Sequence, residues 1–187
     1  MNVTIRIETP SDYKEVELLT YKAFVNSQVP PRDYCNEHLI VNKLRDTDDF
    51  LPNLSYVAEL DGEIVGNITY SKSKIVCESG KEIERITFGP LSVLPKFQKM
   101  GIGSMLLNHT ISKAKKLGYN AILIYGHPEY YQRFGFVNAE KYNITTHDGK
   151  NFDAFMALEL RDGALDNIAG KFYYSDVFDI GKEGLLE

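Results

Sequence analysis

A glycine-containing segment is the first part of the sequence whose residue types indicate chemistry. It lies between an apolar run that ends at Leu94 and a long stretch with helical periodicity, and it reads Gln98-Lys99-Met100-Gly101-Ile102-Gly103-Ser104. The first turn of a helix carries unpaired backbone N–H donors and a partial positive charge, and glycines let an anion approach those donors closely. This glycine segment (residues 98–104) therefore predicts an anion site at a helix N-terminus, and a pyrophosphate is the anion that suits it.

Two common nucleotide motifs do not match the glycine segment. The dinucleotide fingerprint Gly-x-Gly-x-x-Gly requires a glycine where the sequence has Leu106, and no Gly-Lys-Ser or Gly-Lys-Thr follows a suitably spaced glycine. The sequence therefore indicates neither a dehydrogenase nor an ATPase. The two glycines by themselves are equally compatible with a sharp strand-to-helix turn that binds nothing.

The elements that position the glycine segment follow from the spacing of apolar residues. Alternating apolar and polar side chains predict a strand over residues 3–7. Thr9 and Pro10 predict the start of a helix, because threonine can cap a helix N-terminus and proline suits the first helical position. The apolar residues at helical spacing in this helix are Tyr13, Val16, Leu19 and Ala23.

A β-hairpin and a third strand come next. Asp61-Gly62 joins two apolar-rich runs, Tyr56 to Leu60 and Glu63 to Tyr70, and glycine tolerates the positive φ of such a turn. The third strand is predicted from Ile83 to Leu94 with an interruption at Gly89-Pro90, because proline removes a backbone donor and glycine permits a bulge or bend.

The glycine segment leads into the second half of the fold. A long helix is expected to run to Leu117, to stop at Gly118 and to bury Leu107, Ile111, Ala114 and Leu117. The continuous apolar run from Ala121 to Tyr125 predicts a central strand that is covered on both faces. A short helical turn through Tyr130, Tyr131 and Phe134 and a late strand from Phe152 to Leu160 follow. The order of these elements indicates an α/β fold with a mixed sheet.

The composition is that of an ordinary folded protein. The 187 residues are 43% hydrophobic and 25% charged, and the net charge of −5 gives no reason to expect a nucleic-acid partner. No apolar run approaches the ~20 residues that span a bilayer, and the N-terminus has no basic leader with a hydrophobic block. Cys35 and Cys77 do not form a disulfide framework, and His38, His109 and His147 share no metal-ligand spacing with one another. We expect a cytoplasmic protein without a metal and without a membrane or nucleic-acid partner.

The glycine segment and its surroundings resemble the GNAT superfamily of acyl-CoA-dependent N-acetyltransferases. The segment is similar to the family's main motif, Gln/Arg-x-x-Gly-x-Gly/Ala, and Leu91-Ser92-Val93 is similar to the strand before it. The run from Tyr131 to Phe136 resembles the second motif, Tyr-x-x-x-Gly-Phe. The longer run from Gly126 is similar to a bacterial subgroup with Gly-Asp-Pro-x-Tyr-Tyr, in which His127 replaces the aspartate.

The resemblance covers roughly residues 3 to 160 and implies a fold. That fold is a mixed, largely antiparallel sheet with a splayed central pair of strands, flanked by helices. We expect one acyl-CoA N-acyltransferase domain over residues 1–187, with its core over about 3–160. The tail, 161–187, has no clear period and no assigned role.

The resemblance also implies a binding site for acetyl-CoA. The backbone amides from Lys99 through Ser104 would hold the CoA pyrophosphate, and Gln98 would shape the turn. Leu91 and Val93 would line the pantetheine arm, and the Val93 amide would point toward the thioester carbonyl, where charge develops during acyl transfer. The residues implied to bind the cofactor are Leu91, Ser92, Val93, Gln98, Lys99, Met100, Gly101, Ile102, Gly103, Ser104 and Tyr131.

Acyl transfer to an amine requires a deprotonated nucleophile and a thiolate that is protonated as it leaves. Tyr131 is predicted to be the general acid, because a phenol with an ordinary pKa near ~10 is protonated at pH 7 and can donate to sulfur. The general base is either Glu84, acting through water, or His127, whose imidazole suits proton transfer. Both residues also have non-catalytic explanations, Glu84 as a solvated strand residue and His127 as a cap of the following turn.

We therefore expect an enzyme that moves an acetyl group from acetyl-CoA to a primary amine by direct attack in a ternary complex. The acceptor is a small-molecule or a protein amine, and the residues that shape its side come from the tail and from Asn26 to Asn53. In that last stretch Pro30-Pro31 is a break and only His38 to Leu44 has a helical pattern. The alternative is a CoA-binding regulatory module of the same fold without turnover. The sequence leaves open whether the chain forms a homodimer.

Overall fold

The computed structural model describes residues 2–25 and 35–180. The predicted break at Pro30-Pro31 lies outside the described residues. The helices are α1 (Tyr13–Phe24), α2 (Glu37–Leu44), α3 (Ile102–Lys116) and α4 (Pro128–Tyr131). The strands are β1 (Val3–Ile7), β2 (Tyr56–Leu60), β3 (Glu63–Cys77), β4 (Glu82–Val93), β5 (Ala121–Tyr125), β6 (Val137–Asn138), β7 (Ile144–Thr146), β8 (Phe155–Glu159) and β9 (Gly170–Tyr174).

The chain divides into two compact units, each built from separate stretches of sequence. The first unit comprises the described parts of Met1–Tyr70, Gly89–Thr110 and Asp176–Glu187, and the second comprises Ser71–Phe88 and Ile111–Ser175. The strands β3 and β4 and the helix α3 contribute residues to both units. The expectation of one acyltransferase domain over the whole chain stays a prediction.

In the first unit, β1, β2 and β3 form an antiparallel meander, and β4 is the next strand beside β3. The predicted hairpin turn is confirmed, because Asp61 and Gly62 both have positive φ, 51° and 82°. Successive side chains of a strand point to opposite faces. A Cβ added at Gly66 would meet Ile102 of α3 at 3.2 Å, whereas Asn67 accepts a hydrogen bond from Thr20 of α1. Helices therefore cover both faces of β3 in this unit.

The helical segment begins at Pro10 as predicted, but its first turn is a 3₁₀ helix and α1 itself starts at Tyr13. A short 3₁₀ turn over Pro10–Asp12 precedes it, and the backbone N–H of Thr9 donates to Asp12 Oδ2 over 2.8 Å. Of the four apolar residues at helical spacing, Val16, Leu19 and Ala23 are buried, and Tyr13 is half-buried. A carboxylate at this position satisfies a donor at the helix start, so local chemistry is sufficient to define where α1 starts.

In the second unit, β5 is an interior strand. It pairs in parallel with β4 at Ile86 and Ile122 and runs antiparallel to β8, which also pairs with β6. Ala121 to Ile124 are fully buried, as expected for a strand covered on both faces. The sequence analysis did not separate β6, β7 and β9 from their surroundings. Of these, β9 pairs with β3 and with β7, so the first part of the tail extends the sheet.

The C-terminal half of α3 corrects two expectations about its buried face, since Ile111 is half-buried and Leu117 is exposed. Leu117 was expected to be buried, but it is 45% exposed because α3 ends at Lys116 and Gly118 has a φ of +89°. The amide of Tyr119 donates to the carbonyl of Ala114 over 3.1 Å, which closes the helix end. The buried residues of α3 are Ile102, Leu106, Leu107, Thr110 and Ala114.

The predicted interruption of the third strand is also corrected. The strand β4 is continuous from Glu82 to Val93, and its Gly89–Pro90 peptide bond is cis. A proline within a strand costs a backbone donor but need not end the strand.

The fold class is the predicted one. The sheet is mixed and largely antiparallel, with β4–β5 and β7–β9 as parallel pairs among the described strands. Helices flank it. None of the helices in the described ranges is long and apolar enough to span a membrane.

Candidate active site

The glycine segment lies in the first unit, between a 3₁₀ turn over Pro95–Phe97 and the start of α3. Lys99 and Gly101 both have left-handed backbone conformations, with φ of 62° and 88°. At Gly101 the conformation alone calls for glycine, because an added Cβ would lie in open space. The segment is solvent-accessible, and Met100 is 50% exposed.

The backbone amides at the start of α3 point to the same end of the helix. The amide of Met105 donates to the carbonyl of Gly101 over 3.0 Å. Among the described residues, no backbone acceptor is found for the three amides before it, those of Ile102, Gly103 and Ser104. Unpaired amides at a helix N-terminus, next to an accessible turn, can bind an anion. The geometry of the glycine segment therefore suits the anion site that its sequence predicts.

Gln98 connects the glycine segment to the end of β4. Its side-chain Nε2 donates to the carbonyl of Val93 over 3.0 Å. This bond spans the 3₁₀ turn and fixes the distance between the strand end and the first residue of the segment. This hydrogen bond supports the expectation that Gln98 shapes the turn, and a mutation of Gln98 would remove it.

At the end of β4, the backbone amides of neighbouring residues point in opposite directions, toward β3 and away from it. The amide of Leu94 donates to the carbonyl of Val65 on β3 over 2.9 Å. Because neighbouring amides of a strand point in opposite directions, the Val93 amide points away from β3. Ser92 is buried and its hydroxyl donates to Thr20 on α1, whereas Leu91 and Val93 are half-buried on the opposite face.

Tyr131 lies in the second unit, at the end of α4. Its ring is half-buried and contacts the rings of Phe88, Phe136 and Tyr130, with centroid distances of 5.8, 5.7 and 5.0 Å. Burial, with a smaller contribution from Tyr130, raises the pKa of the Tyr131 phenol above its ordinary value. The hydroxyl is therefore protonated at neutral pH, as a proton donor must be.

Gly126 contributes to the surroundings of Tyr131, and the sequence analysis assigned it no role. A Cβ added to Gly126 would lie 2.6 Å from Cδ2 of Tyr131 and closer still to Cε2. The ring of Tyr131 thus rests directly on the Gly126 backbone, and we call Gly126, Phe88 and Phe136 together the Tyr131 seat. The signal in the sequence was the glycine that opens Gly126-His127-Pro128, directly after an apolar strand.

His127 is the residue before α4. Its carbonyl accepts from the amides of Tyr130 and Tyr131, but its imidazole makes no capping hydrogen bond. The side chain is exposed and lines an open cavity of about 850 Å³. The other residues that line this cavity are Pro128, Glu129, Tyr130, Arg133, Asp153 and Ala154.

Glu84 lies on the strand that carries Phe88, one of the ring contacts of Tyr131. It is an exposed residue of β4. Burial raises the pKa of the Tyr119 phenol, and the nearby carboxylate of Glu84 raises it further. Tyr131 contacts Phe88, which is four residues along the same strand, a separation of about 13 Å at the rise of a β-strand. His127 is therefore a neighbour of Tyr131 through its backbone, whereas Glu84 is four residues away from the strand residue that Tyr131 contacts.

The cysteines and acidic residues give no metal centre in the part of the chain that the structure describes. Cys35 and Cys77 are both free thiols. Within residues 2–25 and 35–180, no three His, Cys, Asp or Glu side chains lie close enough together to hold a metal ion.

Comparison with known proteins identifies the family. The model of the acetyltransferase (GNAT) domain family matches residues 52–138, which include the glycine segment and Tyr131. A solved GNAT family acetyltransferase from Brucella melitensis, in complex with acetyl-CoA, has 30% sequence identity and a TM-score of 0.72 and covers 95% of this chain and 99% of its own. The chain belongs to the GNAT family of acetyltransferases.

Other GNAT proteins are similar over nearly the whole chain. The uncharacterized N-acetyltransferase YhbS of Escherichia coli K12 is 25% identical over 175 residues, which is 94% of this chain and 98% of YhbS. The solved structure of E. coli YhbS in complex with CoA has a TM-score of 0.83 and 26% identity, and it covers 97% of this chain and 94% of that one. The family resemblance drawn from the sequence is confirmed, and this GNAT chain is an acyltransferase.

Proposed function

We propose that this GNAT acetyltransferase transfers an acetyl group from acetyl-CoA to a primary amine, by direct attack in a ternary complex. The observation that carries the proposal is the row of amides from Ile102 to Ser104, which find no backbone acceptor among residues 2–25 and 35–180, beside the left-handed turn at Gly101. The similar structures from B. melitensis and E. coli, which hold acetyl-CoA and CoA, support acetyl-CoA as the co-substrate.

The pyrophosphate of acetyl-CoA binds to the amides of the glycine segment in this proposal. Two negative groups at a helix N-terminus gain hydrogen bonds and a favourable interaction with the helix dipole. The pantetheine arm runs along the free edge of β4, past Leu91 and Val93. The residues proposed to contact the cofactor are Leu91, Ser92, Val93, Gln98, Lys99, Met100, Gly101, Ile102, Gly103, Ser104 and Tyr131.

The amide of Val93 stabilises the oxygen of the thioester in the transition state. This amide points away from β3 because its neighbour at Leu94 is the one that bonds Val65. A fixed amide is worth more to a developing oxyanion than to a neutral carbonyl, so the bond lowers the barrier to attack. Gln98 helps to hold the peptide of Val93, since its side chain bonds the carbonyl of that residue.

The chemical step needs one proton to leave the amine and one to reach the sulfur. The amine nitrogen attacks the thioester carbon, and the C–S bond breaks as the tetrahedral intermediate collapses. Tyr131 gives its proton to the departing CoA thiolate and regains one from solvent. The phenol is protonated at neutral pH, so it holds the proton that the thiolate needs.

His127 is the base that this proposal favours over Glu84. Its imidazole is free of a capping bond and lines the cavity beside Tyr130. Glu84 is about 13 Å along β4 from the residue that Tyr131 contacts. The alternative of a CoA-binding module without turnover has no observation that favours it over an enzyme.

The proposal is tested by titrating the purified protein with acetyl-CoA in a calorimeter and by a thiol-release assay against a panel of primary amines. Binding together with amine-dependent release of CoA is the expected result. Binding without release from any amine would favour the silent module, and the absence of binding would contradict the assignment of the glycine segment. Release that does not depend on the amine would indicate simple hydrolysis.

A further inference from the structure

Gly126 directly follows β5 and lies two residues before the start of α4. Its amide donates to the carbonyl of Ala154 over 2.9 Å, which continues the pairing of β5. Its φ does not lie in the left-handed region that favours glycine. An alanine could therefore adopt this backbone, so the need for glycine has to come from the space around it.

The ring of Tyr131 occupies the space where a side chain at position 126 would be. An added Cβ would lie 2.6 Å from Cδ2 of Tyr131, a distance that real Cβ contacts do not reach. The ring is packed on other sides by Phe88 and Phe136. A methyl group at position 126 therefore forces the Tyr131 ring to shift against Phe88 and Phe136, because the two cannot occupy the same space.

We propose that Gly126 is a positioning residue for the acetyl transfer, because its bare backbone is the surface that fixes the Tyr131 ring and aims the hydroxyl. This inference rests on the proposed function, in which Tyr131 donates a proton to the leaving thiolate. General acids lose much of their effect when they are displaced by about 1 Å. Gly126 therefore acts on the chemical step through Tyr131 and touches no reacting atom itself.

Gly170 offers a matched control in the same unit. Its φ is also outside the left-handed region, and an added Cβ would lie 2.9 Å from the carbonyl carbon of Val76. The clash at Gly170 is with the backbone of β3, and not with a residue of the proposed machinery. Gly170→Ala therefore measures what a steric clash does to stability alone.

The test compares Gly126→Ala in the wild-type and in the Tyr131→Phe background. In the wild-type background we expect kcat to fall at least tenfold, while the affinity for acetyl-CoA changes less than twofold. In the Tyr131→Phe background we expect Gly126→Ala to change kcat less than twofold, because the hydroxyl is already gone. Its effect on Tm should persist there, since phenylalanine keeps the ring that clashes. Gly170→Ala should lower Tm and leave kcat unchanged in the temperature range where it is folded.

A second readout does not depend on turnover. Ultraviolet titration of the phenol, with Tyr131→Phe as the reference spectrum, isolates the ionisation of Tyr131. Burial raises its pKa, so displacement of the ring by Gly126→Ala should bring the pKa down toward the ordinary value near ~10. This measurement can be made even if the assay finds no acceptor.

Two results would overturn the inference. One is a kcat of Gly126→Ala within twofold of wild type with an unchanged phenol titration. The other is an equal loss of kcat in both backgrounds, which would mean that the alanine damages the enzyme without acting through Tyr131. Failure of the proposed function is distinct, because the wild-type protein would then release no CoA with any amine while the titration still reports on the ring.

Discussion

The glycine segment of the first unit and the Tyr131 seat of the second unit both depend on glycine, but for different reasons. At Gly101 the backbone has a φ of +88° and an added Cβ would meet nothing. At Gly126 the backbone is ordinary and an added Cβ would meet the ring of Tyr131. The first glycine makes a conformation available to backbone amides, whereas the second makes room for a side chain.

This difference separates the pyrophosphate site from the proton donor. The groups proposed to bind the cofactor in the first unit are mostly backbone amides, which tolerate side-chain changes that leave the backbone in place. The group proposed to donate the proton is a single phenol, and its position depends on packing by Phe88, Phe136 and Gly126. Substitutions in the two regions should therefore affect Kd and kcat separately.

The largest expected effect is on the chemical step. Tyr131→Phe removes the hydroxyl and keeps the ring, so we expect kcat to fall by about 100-fold or more, the usual contribution of a general acid. The Kd for acetyl-CoA should change less than twofold. Steady-state kinetics with calorimetric Kd values measure both, and an unchanged kcat would remove Tyr131 from the mechanism.

The next effect is on cofactor binding. Gly101→Val places a β-branched residue at a positive φ, which costs about 1–2 kcal/mol and disturbs the amides that follow. We expect Kd for acetyl-CoA to rise at least tenfold in calorimetric titration. Gly80→Val is the control, because Gly80 has a φ of 81° and equally open surroundings in a turn of the second unit. If both variants bind acetyl-CoA as wild type does, the glycine segment is a structural turn.

A smaller effect on acetyl-CoA binding is expected from loss of the Gln98 hydrogen bond, which connects the glycine segment to the end of β4. Gln98→Ala removes the bond to the Val93 carbonyl, and a single exposed hydrogen bond is worth about 0.5–1.5 kcal/mol. We expect KM for acetyl-CoA to rise by about three- to fivefold, with Tm nearly unchanged. Gln132→Ala, an exposed glutamine of the second unit, is the matched control and should leave KM as it is.

The smallest effect concerns pH. The folded-state pKa of Tyr131 is raised above the unfolded value near ~10. The protonated phenol therefore contributes stability that is fully present below pH ~10 and is lost as the pH rises above it. Wild type should lose stability above pH ~10 more steeply than Tyr131→Phe, as measured by urea denaturation. Parallel loss in the two proteins would contradict the burial of the phenol.

The sequence was most informative where structure depends on near neighbours. Asp61-Gly62, the Thr9–Asp12 cap and Gly118 each define a turn or a helix end through local chemistry, and the structure has all three. The glycine segment belongs to this class, because a helix N-terminus after a strand needs only adjacent residues.

The remaining features depend on residues that are distant in sequence. The strand β9 is paired with β3 and β7, so its five residues carry little signal without those partners. The role proposed for Gly126 follows from a ring five residues later that folds back over it, and periodicity cannot indicate such a contact. Leu117 fits the helical spacing, but the helix ends before the residue reaches the core.

The most direct measurement is a calorimetric titration of acetyl-CoA into wild type, Tyr131→Phe and Gly101→Val. The account predicts that wild type and Tyr131→Phe bind with the same Kd and that Gly101→Val binds at least tenfold more weakly. Equal binding by wild type and Gly101→Val, or no binding by wild type, would contradict the claim that backbone amides of the glycine segment hold the cofactor.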